Sequence, residues 1–189
     1  SEIEKMKRDS DENIKRMEEI ARKWEKESRD NIREIEKRVE DLKRRIEKVI
    51  REIEKLRRDG RPDEDLKRKL DDDLRKLKEE VEKLKEDLRR SHEDLDRRSK
   101  EIKREIRESH RKVEEDIRRI EEELRDDKDL EEAKRKLEEV LDKNRRVVEK
   151  VERRIDRIND RNREVLERAE KELDDILRKL EEVVRRAEK

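Results

Sequence analysis

Residues 57–65 read RRDGRPDED, and this stretch holds the single glycine and the single proline of a 189-residue chain. Gly60 is suited to the position after a helix, because glycine adopts the left-handed backbone conformation without steric cost. Pro62 is suited to the first turn of a following helix, where a backbone N–H would have no partner. The stretch therefore predicts one helix that ends near residue 58 and a second that begins near residue 62.

A second break is predicted at residues 124–133, which read LRDDKDLEEA. Its aspartates offer oxygens that cap a helix N-terminus, and Asp129 with Glu132 has the spacing of a capping box, as does Ser1 with Glu4. The chain is thus predicted to be one domain, 1–189, with helices over 1–58, 62–125 and 129–188 and turns near 59–61 and 126–128. At about 1.5 Å per residue, each helix is on the order of 90 Å long.

The composition excludes a globular core of ordinary depth. Charged residues make up 66% of the chain and hydrophobic residues 26%, against about 25% and 45–50% in globular domains. High charge with few aromatic residues is also typical of disorder, but here apolar and small polar residues recur every three or four positions, which indicates a helix. In the middle segment these positions are Leu74, Leu77, Val81, Leu84, Leu88, His92, Leu95, Ser99, Ile102, Ile106, His110, Val113, Ile117, Ile120 and Leu124.

Charge and residue usage exclude several classes of partner. The 62 basic and 62 acidic residues are interspersed, so no patch of one sign favours nucleic acid or an anionic membrane. No apolar run is long enough to span a bilayer or to act as a signal peptide, which predicts a soluble protein without naming a compartment. The absence of cysteine excludes disulfides, thiolate catalysis and zinc-finger sites.

The spacing along the apolar stripe predicts nearly straight helices. From Leu74 the steps run 3, 4, 3, 4 and 4 and then repeat, so the pattern closes in eighteen residues. Eighteen residues are five turns of about 3.6 residues, whereas a strict heptad would impose a left-handed supercoil. With short turns, the pattern predicts an all-α, up-down-up bundle of three untwisted helices with antiparallel neighbours.

Polar residues interrupt the stripes at two predicted heights. The pairs Ser10–His110 and Ser28–His92 are centred on residue 60, and the pairs His110–Asn144 and His92–Asn162 on residue 127. These centres coincide with the predicted turns, so antiparallel packing places each set at one height, about 27 Å from the other. The first polar layer comprises Ser10, Asn13, Ser109, His110 and Asn144, and the second polar layer comprises Ser28, Asn31, Ser91, His92 and Asn162.

A structural role for these layers is favoured over chemistry. Buried polar groups cost stability unless they satisfy one another, so a slipped packing that separates them is disfavoured. Ser91 and His92 are adjacent on a helix and point about 100° apart, which excludes a direct nucleophile–base pair. One histidine among amides and hydroxyls is a poor metal ligand set. We therefore expect no catalytic residue, no metal site and no cofactor.

Two further expectations concern single residues. Trp24 lies near the predicted height of Ser99, which predicts a hydrogen bond from its indole N–H to the serine hydroxyl. Protonation of a buried neutral histidine weakens a fold, so a pH response through His92 and His110 would be destabilisation by acid. We expect little unfolding at about pH 5.

The chain resembles the de novo designed parametric helical bundles that carry buried hydrogen-bond networks. The resemblance rests on the absence of Thr, Gln, Phe, Tyr and Cys, on surfaces of Glu, Lys, Arg and Asp, and on the two polar layers. It covers the whole chain and implies a protein made for structure, without natural biochemical activity: a hyperstable scaffold, a network test case or one component of an assembly. The localisation is unknown, and recombinant expression in a cytoplasm is expected.

Three hypotheses from different classes follow. A closed monomeric scaffold is favoured, because two or three inward residues per two turns suit a three-helix seam. A binding or self-assembly module, including a homo-oligomer, stays open because the predicted third helix, 129–188, carries doubled apolar positions that widen its stripe. These are Val140 with Leu141, Val147 with Val148, Val165 with Leu166 and Val183 with Val184. A natural structural coiled coil is disfavoured by the missing residue types, and an enzyme comes last.

Overall fold

The computed structural model of the protein describes residues 1–60 and 64–188. It contains three long helices. They are α1 (Glu2–Asp59), α2 (Glu64–Glu123) and α3 (Leu130–Glu188), and no strand occurs within the described ranges. The predicted all-α three-helix bundle is confirmed. The predicted start of the second helix at residue 62, including Pro62, lies outside the described residues, and α2 ends two residues before the predicted position 125.

Gly60 ends α1 with the one positive φ found in the described part of the chain, 80°. Its amide N–H donates to the Leu56 carbonyl at 3.3 Å, which satisfies one of the last carbonyls of the helix. A Cβ atom added at Gly60 would meet no atom within 4 Å. The backbone conformation, and not lack of space, therefore selects glycine at this position.

The turn between α2 and α3 is closed by local hydrogen bonds. The Asp127 N–H donates to the Leu124 carbonyl at 3.0 Å, and the Asp129 carbonyl accepts from Ala133 at 2.9 Å, as expected of an N-cap residue. Asp127 Oδ1 accepts from the Asp129 N–H at 3.3 Å. The aspartate side chain that accepts in this turn is thus that of Asp127, one of the three aspartates predicted to offer a capping oxygen (Asp126, Asp127 and Asp129).

Contacts between the helices divide the chain into two compact units. The first unit comprises Ser1–Ser28 and Leu95–Asp160, and the second comprises Arg29–Asp94 and the described part of Arg161–Lys189. Each unit has a narrow apolar core. In the second unit the buried apolar side chains are Ile32, Ile35, Val39, Leu42, Ile46, Val49, Ile50, Ile53, Leu70, Leu77, Val81, Leu84, Leu88, Leu166, Ala169, Leu173, Ile176 and Leu180.

The first unit contains two apolar clusters. One is formed by Ile14, Met17, Ala21, Trp24, Ile102, Ile106, Val148, Val151, Ile155 and Ile158. The other is formed by Met6, Val113, Ile117, Ile120, Leu137 and Val140. On each helix the two clusters are separated by a short segment, and the buried or half-buried polar residues of the first polar layer lie in these segments.

Ion pairs link the helices of the second unit at its surface. The Arg38 guanidinium of α1 donates to Asp87 of α2 at 2.6 Å, and this hydrogen bond holds the pKa of the Asp87 carboxyl below its usual value. Lys85 of α2 pairs with Asp174 of α3, and the hydrogen bond between them raises the pKa of the Lys85 ammonium. Because these side chains are partly exposed, each pair contributes about 0.2–1 kcal/mol to folding.

We expect the Arg38–Asp87 pair to make stability depend on acid pH. Since the folded pKa of Asp87 is below the unfolded one, its contribution is present above about pH 4 and is lost as pH falls through the folded value. Asp87→Asn should therefore lower the free energy of unfolding by up to about 1 kcal/mol at pH 7 and by less at about pH 2. Urea unfolding at both pH values measures the difference, with Asp175→Asn, at an exposed position of α3, as the control.

Candidate functional site

The first polar layer is assembled from all three helices within the first unit. Ser10 and Asn13 lie on α1, Ser109 and His110 on α2, and Asn144 on α3. Ser10 and Asn144 are buried, and the other three side chains are half-buried. The helical periodicity that points the neighbouring apolar residues inward also points these residues inward, because they occupy the same stripe.

Asn144 is the centre of a hydrogen-bond network that spans the layer. Its Nδ2 donates to Ser10 Oγ at 3.2 Å and to Asn13 Oδ1 at 3.3 Å. Its Oδ1 lies 2.7 Å from His110 Nδ1. A fully buried carboxamide thus has partners on both of the other helices, so its burial carries no unpaired-donor penalty.

Asn13 extends the network to α2. Its Nδ2 donates to Ser109 Oγ at 2.6 Å and lies 3.4 Å from the Ser109 carbonyl oxygen. All five residues of the first polar layer are therefore joined, directly or through Asn144 and Asn13.

Glu114 is a member of this network that the polar-layer pattern did not predict. Its Oε1 lies 2.8 Å from His110 Nε2, one helical turn away on α2. The signal was the i,i+4 spacing of a histidine and a glutamate, which places their side chains on one helix face. This signal is weak in the present sequence, because 66% of its residues are charged and such spacings are frequent.

The arrangement does not provide the parts of a hydrolytic site. The Nδ1 of His110 contacts an amide oxygen and its Nε2 contacts a carboxylate, so neither ring nitrogen is hydrogen-bonded to a serine hydroxyl of this layer. Within the described residues, no group of three or more histidine, aspartate or glutamate side chains is placed to hold a metal ion. The chemistry that the layer supports is mutual hydrogen bonding.

The residues of the second polar layer are placed differently. Ser28 lies in the first unit, where its buried hydroxyl donates to the Glu25 carbonyl at 3.2 Å. In the second unit Asn31 is exposed, and Ser91 and His92 are half-buried. Asn162 is 6% exposed, and its Nδ2 has no hydrogen-bond partner.

Within the described part of the second unit, no hydrogen bond joins the four members found there. The contrast with the first polar layer involves more than one side chain: His110 contacts Asn144, whereas the Ser28 hydroxyl donates to the Glu25 carbonyl of its own helix. Asn13 is turned inward and accepts from Asn144, whereas Asn31, eighteen residues later, is turned to solvent. The donor of Asn162 therefore lacks the acceptor that Asn13 provides to Asn144.

The predicted hydrogen bond from Trp24 to Ser99 is wrong. The indole Nε1 donates to Asn159 Oδ1 on α3 at 3.3 Å, and the Ser99 hydroxyl donates to the carbonyl of Asp96 at 3.0 Å. A serine hydroxyl on a helix reaches the carbonyl of the preceding turn, so Ser99 satisfies itself locally. The indole N–H is left to Asn159, a half-buried side chain of the third helix.

Comparisons with known proteins show the fold alone. No protein-family model matches the chain, and no curated protein matches it. A solved structure described as a "Computationally designed three helix bundle" is similar, with a TM-score of 0.66 and 20% sequence identity, over 99% of this chain and 93% of that chain. No helix among the described residues is long and apolar enough to cross a membrane.

Proposed function

We propose that the chain is a designed structural scaffold without enzymatic activity, and that its first polar layer specifies how the three helices are aligned. The observation that carries the proposal is the network from Ser109 through Asn13 and Asn144 to His110, which joins α1, α2 and α3. A network that needs one partner from each helix is complete in one alignment only.

The physical reason lies in the apolar clusters on either side of the layer. If α3 slipped by a turn, Asn144 would face apolar side chains of the other two helices, such as Ile14 or Ile106, which offer no hydrogen-bond partner. Each buried donor or acceptor left unpaired costs about 1–3 kcal/mol. Apolar side chains alone discriminate weakly between alignments, since leucine, isoleucine and valine pack in several arrangements at similar energy.

Two findings support a designed origin. The fold is similar to that of a computationally designed bundle over nearly the whole length of both chains. The sequence fills its surface with four charged residue types and omits Thr, Gln, Phe, Tyr and Cys altogether. Cofactors and nucleic acid have no part in the proposed role.

The burial of α3 favours a self-contained monomer over a binding or self-assembly module. Its doubled apolar positions are all buried or half-buried, including Leu141, Val147, Val165, Val183 and Val184. Within the described residues the one exposed large apolar side chain is Leu66, at 39%. An isolated exposed leucine does not form a docking surface.

The alignment role is tested with a variant that replaces the whole first polar layer by apolar residues: Ser10→Ala, Asn13→Leu, Ser109→Ala, His110→Leu and Asn144→Leu. Because the chain has no cysteine, spin labels can be placed at cysteines introduced at the exposed positions Lys15 and Lys134. We expect one narrow distance distribution in the parent protein and a broadened or split one in the variant, since a one-turn slip moves a helix by about 5.4 Å.

The stability of the variant should not fall, because the donors and acceptors are removed together. The control is the Asn162→Leu variant with the same two spin labels, and it should keep the narrow distance distribution. Light scattering should give a mass near 23.6 kDa for each protein, so that broadening is not due to association. A narrow, unshifted distribution in the five-residue variant would show that turns and apolar packing align the helices without the network.

A further inference from the structure

In the hydrogen-bond network of the first polar layer, the Ser109 carbonyl determines which group donates and which accepts in each bond. A carbonyl oxygen only accepts, so the Asn13 atom that lies 3.4 Å from it must be the Nδ2 donor. Asn13 therefore turns its Oδ1 toward Asn144, and Asn144 must offer Nδ2 in return, at 3.3 Å. The remaining atom of that carboxamide, Oδ1, faces His110 Nδ1 at 2.7 Å.

His110 consequently faces an acceptor with each ring nitrogen. Asn144 Oδ1 only accepts, so Nδ1 must carry a proton to make that bond. Nε2 lies 2.8 Å from Glu114 Oε1, and Arg118 lies 3.9 Å from the other oxygen of the same carboxylate. A carboxylate oxygen also only accepts.

We propose that His110 is a proton-binding site of the folded chain, occupied as the imidazolium between Asn144 and Glu114. A neutral imidazole has one N–H and would leave one of these contacts between two lone pairs. The imidazolium has two, and its bond to the carboxylate is charge-assisted. This inference does not depend on whether the layer aligns the helices.

Other charged groups beside the layer are engaged with one another. Asp11 of α1 pairs with Lys143 of α3 at 3.2 Å, and Arg107 of α2 pairs with Glu152 of α3 at 2.8 Å. The side chain of α3 that contacts the ring is the neutral carboxamide of Asn144. Glu114 is the charged side chain that contacts it.

The sign of the resulting pH effect is opposite to that expected from burial alone. A proton that the folded state binds and the unfolded state binds less tightly stabilises the fold more at low pH than at high pH. The second histidine, His92, is half-buried and serves as an internal reference, because it lies in a layer without the corresponding bonds.

The test is ¹⁵N NMR of the histidine side chains in the full-length chain, recorded between pH 5.5 and 8. We expect protons on both ring nitrogens of His110, and at pH 7.5 a protonated fraction at least about twofold that of His92. Glu114→Gln should remove this excess, because an amide can donate to the neutral ring nitrogen. Glu115→Gln, at an exposed neighbouring position, removes the same charge and should leave the excess unchanged.

Two outcomes would overturn the proposal. If His110 carries a proton only on Nε2 throughout this range, the carboxamide nitrogen and oxygen of Asn144 and Asn13 are exchanged in position, and the ring accepts from Asn144. If Glu114→Gln leaves the protonated fraction of His110 as it is in the parent protein, the carboxylate does not hold the proton. Circular dichroism of each variant confirms that the comparison is between folded proteins.

Discussion

Asn144→Leu is expected to lower the free energy of unfolding by about 2–4 kcal/mol, whereas Asn162→Leu raises it by about 1 kcal/mol. The side chains have similar volumes, and both sites are buried. They differ in their partners. Leucine at 144 leaves the Ser10 hydroxyl, the Asn13 oxygen and His110 Nδ1 without the groups they now contact, while leucine at 162 removes a donor that is already unpaired.

Guanidinium unfolding followed by circular dichroism measures both effects. The denaturant slope should be the same for the parent and the two variants, so that the shift in midpoint reports stability. Asn144→Asp is a useful companion, because it keeps the size and an acceptor but removes the Nδ2 donor. Equal destabilisation at positions 144 and 162 would show that Asn162 has a partner of equal worth.

The second large effect is expected in the apolar core of the first unit. Ile155→Ala should cost about 2–5 kcal/mol, because the side chain is 0% exposed and the helices cannot fully close the cavity left behind. Ile155→Val removes one methylene and should cost about 0.5–1.5 kcal/mol. The ratio of the two decreases in the free energy of unfolding tests whether the decrease is proportional to the side-chain volume removed.

Leu66→Ala is the matched control for the core substitution. Leu66 is the exposed leucine of α2, so its truncation should change stability by no more than about 0.5 kcal/mol. The same unfolding measurement applies to all three variants. A cost below about 1 kcal/mol for Ile155→Ala would mean that neighbouring side chains repack into the space that the substitution leaves.

Much of the fold could be predicted because local rules and long-range packing agree in this sequence. Gly60 has the backbone conformation that its position after a helix predicts, and the predicted stripe from Leu74 to Leu124 is buried or half-buried throughout. A continuous helical period leaves few alternatives for a chain with a single glycine and a single proline. The eighteen-residue repeat and the straightness of the helices remain predictions.

The polar layers show where sequence reasoning stops. Residue numbers alone gave the two layers the same composition of serine, asparagine and histidine, yet Asn13 is hydrogen-bonded and Asn31 is exposed. An asparagine at the edge of a stripe can rotate inward or outward, and a few degrees of helix rotation decide which. The prediction that Ser99 accepts from Trp24 was wrong for a similar reason. Two residues at the same height along the bundle need not face each other, and the indole faces Asn159 of α3 instead.

The backbone conformation of Gly60 has a consequence for chemical synthesis. The position requires a positive φ, which a residue of D configuration adopts by preference, as the mirror image of the L case. D-alanine at this position therefore has neither the backbone strain of L-alanine nor the freedom of glycine in the unfolded chain. Residue 60 is thus a place where one inverted stereocentre matches the backbone that ends α1.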